Sequence, residues 1–124
     1  MDMIKILIAE DSSDVRLSLI TVLKKDPDIT VVGETENGFG AIDLAKNLQP
    51  HLVLMDIRLT GLNGLEAAKR IKAYCSITGV DIKVMILTTI CDDEYVSKAY
   101  IYGVDGYLLD NFLNEFVLRF QLTQ

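Results

Sequence analysis

A chain of 124 residues, half of them apolar, suits one domain over 1–124, large enough to bury roughly two-thirds of its unfolded surface and fold without covalent staples. Net charge −6 and a pI near 4.6 leave no basic field to displace counterions, which argues against direct binding to nucleic acid or an anionic membrane. Cys75 and Cys91 are too few for a disulfide framework and lack metal-site spacing. The N-terminus has no apolar segment of membrane length and no leader pattern, so a cytoplasmic protein is expected.

The chain opens on an apolar run, Ile4–Ala9, that closes on Glu10 and Asp11. Asp11, Ser12, Ser13 and Asp14 supply N-cap candidates for a helix with Val15, Leu19, Val22 and Leu23 at helical spacing, stopped by Asp26-Pro27-Asp28. Ile29–Gly33 is β-branched and reads as the second strand. Asn37-Gly38 opens a second helix with Ala41, Ile42, Ala45 and Leu48 on one face and Pro50 beyond its end. His51 has no companion histidine and is given no catalytic role.

Leu52–Ile57 is interrupted only by Asp56, the first charge after an apolar run that suits a strand buried on both faces. A loop through Thr60, Gly61 and Asn63 follows, with Asn63 suited to cap a third helix whose stripe is Leu65, Ala68, Ile71 and Cys75. The fourth strand begins near Ile82 and closes on Thr88-Thr89; Asp92, Asp93 and Glu94 then place acids in the first turn of a fourth helix, with Gly103 just past its end. Gly106–Leu109 is a short fifth strand. A last helix carries Leu113, Phe116, Val117 and Phe120 at core spacing, with Phe112 and Leu118 outside that stripe. Tyr95, Tyr100 and Tyr102 read as surface or packing aromatics.

Strands alternating with helices predict an α/β fold: a doubly wound (βα)5 flavodoxin-like sandwich with a five-stranded parallel sheet. By analogy with folds of this size the order is 2-1-3-4-5, which brings the carboxyl ends of strands one, three and four together, where ligand sites collect. Glu10, Asp11 and Asp56 would then repel one another unless a cation is present, and hard oxygen ligands with room for water suit Mg²⁺. The acidic first loop argues against a nucleotide or flavin site, which wants amides cradling phosphate. A phosphatase acting on outside substrates stays a weaker alternative, because Ser13 stands where a second aspartate would be wanted.

Together, Ala9-Glu10-Asp11, Leu54-Met55-Asp56-Ile57-Arg58-Leu59, Gly61-Leu62-Asn63-Gly64, Leu87-Thr88-Thr89 and Gly103–Leu109 resemble the receiver domain of two-component response regulators, from about Ile4 to Phe120. Asp92–Val96 and the Gly-Tyr-Leu-Leu ending are most similar to the NarL/FixJ-like subgroup that carries a LuxR-type DNA-binding output. The resemblance implies that Asp56 accepts a phosphoryl group from a histidine kinase or phosphotransfer protein. It implies Mg²⁺ held by Asp11, Asp56 and the backbone carbonyl of Arg58, with Glu10 acting through water. It also implies a switch in which Thr88 hydrogen-bonds the phosphoryl group and Tyr107 turns inward, while Arg58 and Ile90 tune its loss. No enzymatic activity is expected beyond self-phosphorylation and autodephosphorylation, and the output would be control of transcription through an effector domain.

Two positions depart from that family pattern. Thr60 stands where members usually have proline, a loop detail expected to be tolerated. Asp110 stands where they carry a lysine that pairs with the phosphoryl group. Two unit charges about 4 Å apart interact by roughly 4 kcal/mol at an effective dielectric near 20, so this reversal is large. Arg58 is the one cation that the order of elements places nearby. Three readings of Asp110 stand: a phosphorylation-independent receiver acting as a protein-interaction module, an engineered change, or a side chain turned to solvent. Phe112 and Leu118 further suggest a homodimer or partner surface on the face from helix four to helix five.

Overall fold

The computed structural model describes residues 3–88 and 93–109, and of Thr88, Asp93, Tyr95 and Leu109 the backbone alone. Strands and helices alternate as β1 (Ile4–Ala9), α1 (Ser13–Leu23), β2 (Ile29–Thr35), α2 (Gly38–Leu48), β3 (Leu52–Met55), α3 (Gly64–Thr78), β4 (Lys83–Thr88), α4 (Asp93–Ile101) and β5 (Gly106–Leu109). All strand pairs are parallel, in the order β2-β1-β3-β4-β5, as the alternation predicts.

Side chains alternate across a strand, so neighbouring apolar residues serve opposite layers. Ile6, Ile8, Leu52 and Leu54 pack on one face with Leu19 and Leu23 of α1. Leu7, Ala9, Val53, Met55, Val84 and Ile86 pack on the other with Ala41 and Ala45 of α2, Ala68 and Ile71 of α3, and Ala99 of α4. Every side chain of β3 is therefore buried, which is why that segment reads as an unbroken apolar run.

Three predicted caps set the helix starts. Ser12 Oγ accepts from the Val15 N–H, Asn37 Oδ1 from those of Phe39 and Gly40, and Asn63 Oδ1 from that of Glu66. Each such cap is worth about 1 kcal/mol. Gly79 and Gly103, both with φ near +80°, close α3 and follow α4, a conformation in which a Cβ is strained.

The chain differs from its sequence reading in the length of β2 and in the place of Leu48. β2 runs two residues past Gly33, because Glu34 and Thr35 continue the ladder opposite Ile8 and Ala9 after a register shift at Val32. Leu48 is 37% exposed at the C-terminal end of α2 rather than part of its buried stripe. His51 belongs to the backbone ladder: its N–H donates to the Lys5 carbonyl, its carbonyl accepts from the Lys83 N–H, and its Nδ1 accepts from the Lys5 N–H. Cys75 is half-buried against the core, as a small hydrophobe. The predicted last helix, including Phe112 and Leu118, lies outside the described residues, as do Thr89, Ile90, Cys91 and Asp110.

Asp105 joins the edge strand β5 to its neighbour β4. Its Oδ2 accepts from the Val84 N–H at 2.7 Å and from Lys72 Nζ at 2.9 Å, while its own N–H donates to the Val84 carbonyl at 2.8 Å. Asp105→Ala strands the N–H of a fully buried residue and is expected to cost roughly 1–3 kcal/mol. Urea unfolding checks this; a midpoint equal to that of the parent chain would show that Asp105 does not hold the edge.

Candidate functional site

The strand order sets β1 and β4 on either side of β3. Ala9 is level with Met55, and Met55 with Ile86. Asp56 leaves the sheet directly after β3, with its N–H donating to the Ala9 carbonyl at 2.9 Å. Glu10, Asp11 and Asp56 thus emerge along one carboxyl edge, and Thr88 ends β4 at the same edge, in register with Leu109.

Each acid is held differently. Glu10 is the buried charged residue of the described chain, 8% exposed. Its Oε2 accepts from the Ser12 N–H at 3.0 Å, and its own N–H donates to the Thr35 carbonyl at 2.9 Å. Asp11 is exposed, and its Oδ1 accepts the Thr60 hydroxyl at 2.8 Å. Asp56 is half-buried, and its Oδ1 accepts from the N–H of Ile57 at 2.8 Å. The Ile57 carbonyl in turn accepts from the Gly64 N–H at 2.7 Å, so the first residue of α3 braces the loop that carries Asp56.

Arg58 is exposed and faces a recess of about 240 Å³ shared with Ile57, Asn63, Glu66, Lys98 and Tyr102. Tyr107 is half-buried on β5, level with Ile86, and packs against the core layer under α2, α3 and α4. Asp110 lies beyond the described residues, so the departure at that position has no structural counterpart here.

The sequence reading missed Arg16. This side chain sends Nη1 to the Glu10 carbonyl at 2.7 Å and the Asp11 carbonyl at 3.2 Å, while Nε pairs with Glu34 Oε1 at 3.3 Å. Arg58 is therefore not the one cation near the acids: Arg16 anchors the acid pair from behind. A signal was available, because Arg16 lies in the first turn of α1, where a cation opposes the helix dipole unless local acceptors hold it.

The carboxylates and the Arg58 carbonyl are hard oxygen donors, and Mg²⁺ characteristically takes one or two carboxylates and fills its shell with water. Among the described residues, no three His, Cys, Asp or Glu side chains converge as a metal cage. The residue types at this edge are ones that suit such a hydrated ion, while their side chains do not close into a protein cage. Among the described residues, no helix is long and apolar enough to cross a membrane.

Residues 6–118 match the response regulator receiver domain. The transcriptional regulatory protein LiaR of Bacillus subtilis is 37% identical over 107 residues, covering 86% of this chain and 49% of that protein. The nitrate/nitrite response regulator NarL of Escherichia coli is 35% identical over 114 residues, covering 92% and 51%. Among solved structures, a DNA-binding response regulator of the LuxR family from Staphylococcus aureus superposes with a TM-score of 0.86 at 30% identity, covering 97% of this chain and 98% of that one. The chain spans about half the length of these two curated relatives. With the parallel sheet, its order and the acidic carboxyl edge in agreement, this chain belongs to the response regulator receiver domain family, and its relatives are two-component regulators of the NarL/LuxR type.

Proposed function

We propose that this chain is a phosphoacceptor receiver in which Asp56 takes a phosphoryl group from the phosphohistidine of a histidine kinase or phosphotransfer protein. The observation that carries the reading is the placement of Asp56: it directly follows a fully buried strand, its carboxylate is oriented by the Ile57 N–H, and its backbone is tied to the strand that ends in Glu10 and Asp11.

The chemistry follows from that placement. A carboxylate oxygen of Asp56 attacks phosphorus, an O–P bond forms, and the P–N bond to the donor imidazole breaks with its electron pair going to nitrogen. Orientation by a fixed N–H lowers the entropy cost of presenting the nucleophile. Asp11, Asp56 and the Arg58 carbonyl would hold Mg²⁺, with Glu10 acting through water. Bound Mg²⁺ supplies the positive charge that lets carboxylates and phosphoryl oxygens approach. Thr88 at the end of β4 then hydrogen-bonds the phosphoryl group, and Tyr107 on the neighbouring strand follows it. This alters the face made by α4, β5 and the predicted last helix, through which a homodimer or an effector domain for transcription control is addressed. The domain acts on no outside substrate; its chemistry is its own phosphorylation and dephosphorylation.

Incubation with a small phosphodonor and Mg²⁺ is expected to add one phosphoryl group at Asp56, read by intact mass and peptide mapping. Failure to modify Asp56 under any donor would remove the reading.

A second reading rests on Asp110: a receiver fold that contacts partners without phosphorylation. Reversing one unit charge about 4 Å from a phosphoryl group removes roughly 4 kcal/mol of attraction and adds as much repulsion at an effective dielectric near 20, before solvent screening. Solvent screening leaves only part of that energy, so Asp110→Lys is expected to raise the steady-state labelled fraction, or its lifetime, by at least about tenfold. If the parent chain and Asp110→Lys label alike and decay alike, the position does not face the pocket.

A further inference from the structure

Thr60 ties three loops of the acidic edge together. Its N–H donates to the Glu36 carbonyl at 3.0 Å, and its carbonyl accepts from the N–H groups of Gly38 at 3.0 Å and Leu62 at 2.9 Å. Asn37 and Thr60 pair as an isolated parallel bridge. These backbone bonds fix the residue between the β2–α2 and β3–α3 loops. From that platform its hydroxyl reaches Asp11 Oδ1 at 2.8 Å, across 49 positions of sequence.

Asp11 is exposed, and an exposed aspartate samples several rotamers unless something holds it. The Thr60 hydroxyl restrains one carboxylate oxygen from the far side of the loop. Outer partners of this kind orient a ligand, and their loss typically weakens metal affinity by about 10- to 100-fold. Arg16 fixes the Asp11 main chain through its carbonyl, so Thr60 completes the restraint by fixing the side chain.

We infer that Thr60 is a positioning residue that presets the Asp11 carboxylate for a divalent cation at the carboxyl edge of the sheet. The inference rests on the metal-dependent reading of the pocket given above. It concerns an interaction between this chain's own loops, independent of any phosphoryl chemistry.

The test is a titration with MgCl₂ alone, followed by amide NMR shifts in residues 9–13 and 55–61, on the parent chain and on Thr60→Val, Thr60→Ser and Asp11→Asn. Thr60→Val keeps the β-branched shape and the N–H to Glu36 while removing the hydroxyl. The expected result is a loss of Mg²⁺ affinity of about tenfold, the lower end of the range for outer-shell partners because the pair is exposed. Thr60→Ser restores affinity to within about twofold of the parent chain on the same argument. A purely structural role for Thr60 would lower the melting temperature without this serine rescue of affinity.

If Thr60→Val binds Mg²⁺ as tightly as the parent chain while Asp11→Asn does not, the positioning role is overturned and the metal pocket stands. If neither the parent chain nor any variant shows saturable Mg²⁺ shifts at these residues, both the inference and the metal reading fall. Should Thr60→Val not fold, Thr60→Ser binding Mg²⁺ about tenfold more weakly than the parent chain overturns the inference by itself.

Discussion

Asp56→Asn is expected to abolish phosphoryl uptake while leaving the fold in place. Asparagine has the same shape and keeps an acceptor oxygen for the Ile57 N–H, and the 2.9 Å bond from the residue-56 N–H to the Ala9 carbonyl involves backbone alone. Removing one of three negative charges from the acidic edge relieves repulsion, so thermal stability should not fall. An amide oxygen carries no formal negative charge and forms no stable acyl phosphate, so labelling should drop by more than about a hundredfold, the scale on which loss of a nucleophile is felt. Mass spectrometry of the parent and variant chains, treated side by side with phosphodonor and Mg²⁺, reads the result. A variant that still gains one phosphoryl group would move the acceptor to another carboxylate, with Asp11 the first to map. Partner binding that is identical in both forms would favour the phosphorylation-independent reading that Asp110 motivates.

The residues that sequence reasoning found, and those it missed, divide along a physical line. Asp56 was legible because a strand buried on both faces tolerates no charge until its end, so the first carboxylate after Leu52–Met55 marks the sheet's edge. Glu10 and Asp11 follow the same rule after β1, and the caps at Ser12, Asn37 and Asn63 are local chemistry within three residues. Strand order was legible only by analogy with folds of this size, since nothing local says which strands are neighbours.

Thr60 was not legible as a site residue because what it does is made by a tertiary contact, and Arg16 because its bonds to the Glu10 and Asp11 carbonyls depend on how the β1–α1 loop turns. Arg16 meets Glu34 eighteen positions away, and Thr60 meets Asp11 at forty-nine. Read locally, Thr60 was only a loop residue. The extra length of β2 has a similar origin: Gly33 and Glu34 are poor strand formers that hide the continuation to Thr35, and pairing with Leu7, Ile8 and Ala9 supplies it. Arg16 differs from these, since its place against the α1 dipole was a local warning that a partner had to exist.

Gly64→Ala is expected to be the most damaging single-methyl change near the site. Gly64 begins α3 and donates its N–H to the Ile57 carbonyl at 2.7 Å, which brings its Cα against the peptide that follows Asp56. A Cβ there would fall well inside contact distance of the Asp56 carbonyl oxygen, 2.8 Å from the carbonyl carbon and 3.0 Å from Met55 Cγ. The first two are backbone atoms tied into the sheet through the Asp56 N–H, so neither swings aside as a flexible side chain would. Overpacking of this kind costs about 3 kcal/mol or more. For a domain of this size that corresponds to a fall in melting temperature of roughly 10 °C or more.

Gly79→Ala is the control. Its φ is +79° and nothing lies within 4 Å of an added methyl, so it isolates backbone strain at about 1 kcal/mol without crowding. The relief available to Gly64→Ala is to push α3 away from the strand end, which drags the Ile57 carbonyl and turns the Asp56 carboxylate off the edge it shares with Asp11. Phosphoryl uptake should therefore slow in Gly64→Ala even well below its melting temperature, and stay unchanged in Gly79→Ala. Equal labelling rates in the two variants at a temperature where both are folded would show that the α3 contact supports the fold but does not aim Asp56.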